Sequence, residues 1–228
     1  MAFSDLFSRL KRGDAEADTD AVAAPVSPTK ALSRFLTGLT GRPSPVLVDL
    51  GPVIGANVSF FGEKLGCKIV VEDLAKDIDR HVSERRLAEL PKFFEKRIAR
   101  DDQSVDGVIC WNLFDFLDKA SAEALARQLV RILREDGLLL AFFNTVDPKP
   151  GAEPPPPGYT KYVIVDPVSL QHRPYPGVRG RQKSFQNRDI QRMFEPMRIT
   201  DQFLLKSHTR EVLFRKAAGD APAAPPVP

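Results

Sequence analysis

Asp49, Gly51, Gly55 and Asp73 are the residues whose types and spacing best suit chemistry on a bound molecule. Asp49 closes the apolar run Val46-Leu47-Val48, and Asp73 follows a second run, Ile69-Val70-Val71, with Glu72 between. Gly51 permits a sharp turn and close approach of a ligand. Gly55 lets a helix start near the strand with its free N–H groups turned to the same space. An acidic residue ending the second run is placed to accept hydrogen bonds from both hydroxyls of a ribose. Asp73 follows Gly51 at close to the roughly 20-residue spacing of nucleoside-binding βαβ units, with Glu72 as its neighbour in that role.

Such a corner needs strands and helices around it, and the chain supplies them in alternation. Val46–Leu50 reads as a strand buried on both faces. Val58, Phe61 and Leu65 recur at helical spacing, and Gly66 marks the stop. Residues 68–72 read as the second strand. Residues 75–97 read as a charged helix interrupted at Pro91, with a short third strand near Ile98. Val105–Trp111 is the fourth strand. Ser121 and Glu123 look like the start of a helix whose buried stripe is Leu125, Leu129, Ile132 and Leu133. Asp136-Gly137 closes that helix, and Leu138–Phe143 is the fifth strand. Tyr162–Val165 reads as a further short strand. Asn187 can cap a helix carrying Ile190, Met193 and Phe194. Ile199–Leu205 and Glu211–Arg215 read as a terminal antiparallel hairpin. The order predicts an α/β fold, doubly wound, with a mostly parallel seven-stranded sheet.

The outlying segments differ in composition. Phe3, Leu6, Phe7 and Leu10 share one helical face beside Arg9, Lys11 and Arg12, a pattern that suits a weak membrane-surface or partner contact by residues 1–12. Residues 13–29 read as a disordered linker, so that residues 1–30 precede the domain. The domain runs over 31–216, opening with a helix at Ala31–Leu39. It carries a proline-rich and then basic insertion near 147–188. Residues 217–228 read as a disordered Ala/Pro tail.

These residues carry a resemblance. Val46 to Gly55 resembles the first motif of class I S-adenosylmethionine-dependent methyltransferases. Asp73-Leu74 resembles that family's acidic second-strand end, and Ser104 to Asn112 its fourth strand and following loop. Leu129 to Leu140 and the terminal hairpin resemble the elements that close the sheet. The resemblance covers about residues 31–216 and implies a Rossmann-like methyltransferase fold. It implies S-adenosyl-L-methionine as cofactor and methyl transfer to an acceptor that the motifs do not name. It assigns the cofactor's methionine end to Asp49, Gly51 and Gly55, with Pro52 also among the cofactor-binding residues. The ribose falls to Asp73 or Glu72, and the methyl-transfer site to Trp111 and Asn112. Val53 stands where the family usually has glycine, and a branched side chain there would crowd the cofactor. The alternative reading is a methyltransferase-fold protein whose cofactor site has decayed and which serves as an interaction module. A nicotinamide-dependent oxidoreductase is disfavoured, because the three-glycine fingerprint is missing.

Displacement at a sulfonium needs alignment and exclusion of water more than a dedicated base. No catalytic residue is therefore assigned, although Asp115 could act as a base or orient an acceptor. The basic stretch Arg173, Arg179, Arg181, Lys183 and Arg188, with Tyr175 and Phe185 interleaved, suits a small-molecule or anionic acceptor. His81, His172 and His208 are scattered, and no metal site is expected. With 228 residues, a net charge of +3 and 28% charged residues, composition does not point to nucleic acid. Cys67 and Cys110 read as reduced core thiols of a cytoplasmic protein, and no run approaches the roughly 20 apolar residues of a membrane span.

Overall fold

Along the strand that crosses the middle of the sheet, Leu138, Leu140 and Phe142 face one layer while Leu139, Ala141 and Phe143 face the other, all of them buried. A strand apolar on both sides needs cover on both sides, and that dictates the three-layer architecture. The computed structural model describes residues 24–147, 158–180, 182 and 184–218. Its elements in chain order are β1 (Val26–Pro28), α1 (Ala31–Thr40), β2 (Val46–Asp49), α2 (Gly55–Ser59), β3 (Lys68–Val71), α3 (Leu74–Ser83), α4 (Leu90–Arg97), β4 (Val105–Trp111), α5 (Lys119–Ile132) and β5 (Leu133–Asn144). They are followed by β6 (Gly158–Asp166), β7 (Ser169–Pro176), α6 (Asn187–Met193), β8 (Arg198–Leu204) and β9 (Thr209–Arg215).

The main sheet has the order β3-β2-β4-β5-β9-β8. Its first four strands are parallel, and β9 and β8 run antiparallel as the expected terminal hairpin. The α/β class and the parallel sheet are as expected. The strand count is not: among the described residues this sheet has six strands, and β1-β7-β6 form a separate antiparallel sheet of three. No strand forms at Ile98, because Arg131 takes the carbonyls a ladder would need. Its guanidinium donates to the Ile98 carbonyl at 2.9 Å and to that of Arg100 at 2.7 Å.

Three local expectations also change. The helix after β4 begins at Lys119, capped by Asp118, whose carboxylate accepts from the Ser121 N–H at 3.0 Å. Ser121 is thus the donor to the cap, and a three-residue offset follows. The linker reading fails at Val26–Pro28, which pairs with Ser169–Gln171. The strand foreseen at Tyr162–Val165 spans Gly158–Asp166. Its partner β7 was missed because Pro174 and Pro176 argue against a strand. Both prolines lie past the residues that β1 pairs, where one side of β7 needs no ladder donors.

Lys30, at the N-cap of α1, offers no capping side chain, and locally only Thr29 Oγ1 reaches the first turn, accepting from the Leu32 N–H at 3.4 Å. Glu211 of β9 supplies the cap, accepting from the Lys30 and Ala31 N–H groups at 2.8 Å each. A carboxylate there also opposes the positive helix end. Past α2 the helix widens into a π turn over Phe60–Lys64, and Gly66, at φ +66°, ends it as its residue type predicts. Residues 1–12, most of the proline-rich insertion and the end of the Ala/Pro tail lie outside the described residues. Among the described residues no helix is long and apolar enough to cross a membrane.

Candidate functional site

The ends of β2 and β3 lie side by side. The Glu72 N–H donates to the Asp49 carbonyl at 2.7 Å, so the turn after Asp49 and the carboxylate of Asp73 share one edge of the sheet. Asp49 is 2% exposed, and its Oδ1 accepts from the Gly51 N–H at 2.9 Å and the Trp111 indole N–H at 2.7 Å. Burial raises its pKa from 3.8 to about 6, against the pull of those two bonds, and the nearby charge of Asp73 adds to the rise.

The two acidic residues at the end of β3 have different employment. Glu72 turns to the helical side, where Arg97 holds it at 2.5 Å and Arg100 stands at 3.9 Å. Arg97 also bonds Asp77 at 2.8 Å. Asp73 faces the corner. Its Oδ2 accepts from the Tyr175 hydroxyl at 2.8 Å and lies 3.3 Å from the Lys76 ammonium. Its Oδ1 is buried and has no hydrogen-bond partner among the described residues.

The antiparallel sheet covers this corner. Trp111 ends β4 at φ +48°, beyond a register shift. Its indole lies against Gly51: a Cβ there would fall 2.7 Å from Trp111 Cδ1 and 2.9 Å from Nε1. The requirement for glycine at 51 thus comes from Trp111. Tyr162 stacks on that indole at 5.4 Å and 8°, and Phe142 meets both rings edge-on. Asn57, 1% exposed in α2, donates to the Tyr162 carbonyl and accepts from the Ile164 N–H, both at 2.8 Å. Tyr159 donates to Asp79 at 2.9 Å, and the Val178 N–H donates to the same oxygen at 3.1 Å. Burial first, and then the carboxylate partner, hold the phenols of Tyr159 and Tyr175 well above their ordinary range. Tyr162, Ile164 and Leu170 are buried in the layer below. At about 1.5–3 kcal/mol each, that packing anchors the hairpin far more firmly than any one of its polar contacts.

Of the residues expected at the site, Asp49, Gly51, Asp73 and Trp111 come together. Pro52 is buried in the turn, and Gly55 starts α2 as foreseen. Asn112 begins the turn Leu113–Phe116, its carbonyl accepting from the Asp115 N–H at 3.1 Å. Val53 is 43% exposed, so it does not fill the corner; its side chain points to solvent and Trp111 takes the space instead. Arg179 is buried at 8% exposure, donating to the Phe116 carbonyl and lying 4.0 Å from Asp118, so its charge is used internally. Arg181 and Lys183 lie outside the described residues. Asp115 accepts from the Asn144 N–H at 3.0 Å, and its carbonyl from Gln182 at 2.7 Å, which ties two loops together. Cys67 and Cys110 are buried free thiols, raised by burial. Among the described residues no three His, Cys, Asp or Glu side chains converge as a metal site.

Asn57, Asp79, Tyr159 and Tyr162 were missed. Tyr175 stood out only as an aromatic within a basic stretch. Their roles arise from the pairing of β6 with β7 over the corner, which no local pattern displays.

No family model matches the sequence, and no curated protein matches it. Solved structures do. An S-adenosylmethionine-dependent methyltransferase from Clostridium acetobutylicum is 12% identical, over 95% of this chain and 98% of that one, at a TM-score of 0.51. The 1,6-didemethyltoxoflavin-N1-methyltransferase of Burkholderia thailandensis, solved with that compound and S-adenosylhomocysteine, is 17% identical over 94% and 87%, at 0.48. The CcbJ methyltransferase of Streptomyces caelestis is 15% identical over 82% and 94%, at 0.45. The chain therefore has the fold of the S-adenosylmethionine-dependent methyltransferases.

Proposed function

We propose that the corner between β2 and β3 is a site for S-adenosyl-L-methionine and that the protein is a methyltransferase. The observation that carries this reading is the pairing of two carboxylates at one strand edge, Asp49 and Asp73. Asp49 is buried and bonded only by uncharged N–H groups. Asp73 keeps one oxygen without a hydrogen-bond partner among the described residues. Such a pair suits a ligand with a cationic end and a ribose diol. The residue types fit the cofactor, but the space does not until Trp111 leaves Gly51 and Tyr175 leaves Asp73.

In that reading Asp73 holds the ribose, while Asp49 and the Gly51 turn face the methionine end. The cofactor supplies an electrophilic methyl group. The protein's part is alignment and the exclusion of water, for which the buried rings of Tyr162 and Phe142 are suited. Bringing a cation beside Asp49 lowers the pKa that burial has raised, so the affinity for S-adenosylmethionine rises with pH through about 6.

A second reading has its own support. Trp111 packs on Gly51 and bonds Asp49, which suits a corner permanently closed in a protein that works as an interaction module. Calorimetry of the full chain with S-adenosylhomocysteine separates the two. Saturable binding abolished by Asp73→Ala supports the enzyme; no binding at millimolar ligand, in the wild type and in variants that open the corner, supports the module.

A further inference from the structure

We propose that Tyr175 is an internal competitor for ligand at Asp73, an inference that rests on the nucleoside reading of the corner. The Tyr175 hydroxyl donates to Asp73 Oδ2 at 2.8 Å, the contact a ribose hydroxyl would make. A phenol brings one O–H and a ribose diol brings two. The second carboxylate oxygen, Oδ1, is buried and has no hydrogen-bond partner among the described residues, so exchanging the phenol for a diol adds a hydrogen bond. Lys76, 3.3 Å from Oδ2, balances the charge in either state.

The position of Tyr175 suits exchange. It lies near the end of β7, past the residues that β1 pairs, and is half-buried, whereas Tyr159 and Tyr162 are buried. Pro174 and Pro176 flank it, so its backbone is stiff and the side chain is the part free to rotate. The Lys161 ammonium, 4.9 Å from the ring centroid, steadies the present rotamer. Rotation of this one side chain releases the carboxylate at the cost of its own packing on Ala75, Phe116 and Tyr159, whereas Tyr162, Ile164 and Leu170 belong to a separate cluster.

The test is calorimetry of the full-length chain with S-adenosylhomocysteine and with adenosine, comparing wild type, Tyr175→Phe and Tyr159→Phe. Loss of a hydrogen bond to a charged acceptor predicts roughly tenfold tighter binding of both ligands by Tyr175→Phe. Tyr159→Phe removes a comparable bond, to Asp79, while keeping the ring that packs 6.3 Å from Tyr175 and the Tyr175 bond to Asp73, and leaves affinity unchanged. Equal tightening by both variants overturns the proposal in favour of general loosening of the hairpin. Measurable binding that Tyr175→Phe does not tighten overturns it while sparing the nucleoside reading. No binding by any of the three chains overturns both.

Discussion

The indole N–H of Trp111 donates to Oδ1 of Asp49 at 2.7 Å, directly over the glycine that opens the turn. A side chain from the end of β4 thereby satisfies the buried acid at the end of β2 and fills the space in front of it. The glycine, the acid and the indole form one unit, and its chemistry follows from which of them a ligand can displace.

Asp49 makes both of its hydrogen bonds through Oδ1, so Asp49→Asn can keep them. The native pKa is raised from 3.8 to about 6, so the folded state holds the proton more tightly than the unfolded chain. That costs nothing below about pH 4, and the cost grows as pH rises to 6, reaching about 3 kcal/mol. Asp49→Asn is therefore expected to be more stable than wild type by about 1–3 kcal/mol at pH 7, with the difference vanishing near pH 4. Urea denaturation at the two pH values measures it.

Asn57 is the polar clamp between α2 and β6. Asn57→Ala removes two buried hydrogen bonds at once, an expected loss of about 2–4 kcal/mol. Urea midpoints of the two chains give the value, and a loss below 1 kcal/mol would mean the clamp contributes little.

Glu72 and Asp73 are adjacent, and only one of them faces the corner. Glu72→Gln is expected to leave S-adenosylhomocysteine affinity within about twofold, because Glu72 is committed to Arg97. Its stability falls by about 1 kcal/mol, a figure discounted for partial exposure of the pair. Asp73→Asn is expected to weaken binding at least tenfold. Titration of both variants checks the assignment.

The βαβ corner was legible because it is local: an apolar run, an acid, a glycine and a helix lie within a few residues of one another. Which of Glu72 and Asp73 faces inward was not, since that depends on Arg97, a helix away. Trp111 was expected near the corner from its place at the end of a strand, but its occupation of the space over Gly51 accompanies a positive φ that no local pattern displays. The expected strand at Ile98 failed on a distant residue, Arg131. The covering hairpin was hidden by Pro174 and Pro176, and with it the tyrosines that bond Asp73 and Asp79. Periodicity and spacing report what a segment prefers, whereas these contacts belong to pairs of segments far apart in the chain.

The most direct test of the nucleoside corner is titration calorimetry of S-adenosylhomocysteine into the full-length wild type, Tyr175→Phe and Asp73→Ala. Saturable binding by the wild type that tightens in Tyr175→Phe and disappears in Asp73→Ala is the predicted result. Absence of binding in all three at millimolar ligand, or binding that survives in Asp73→Ala, would contradict it.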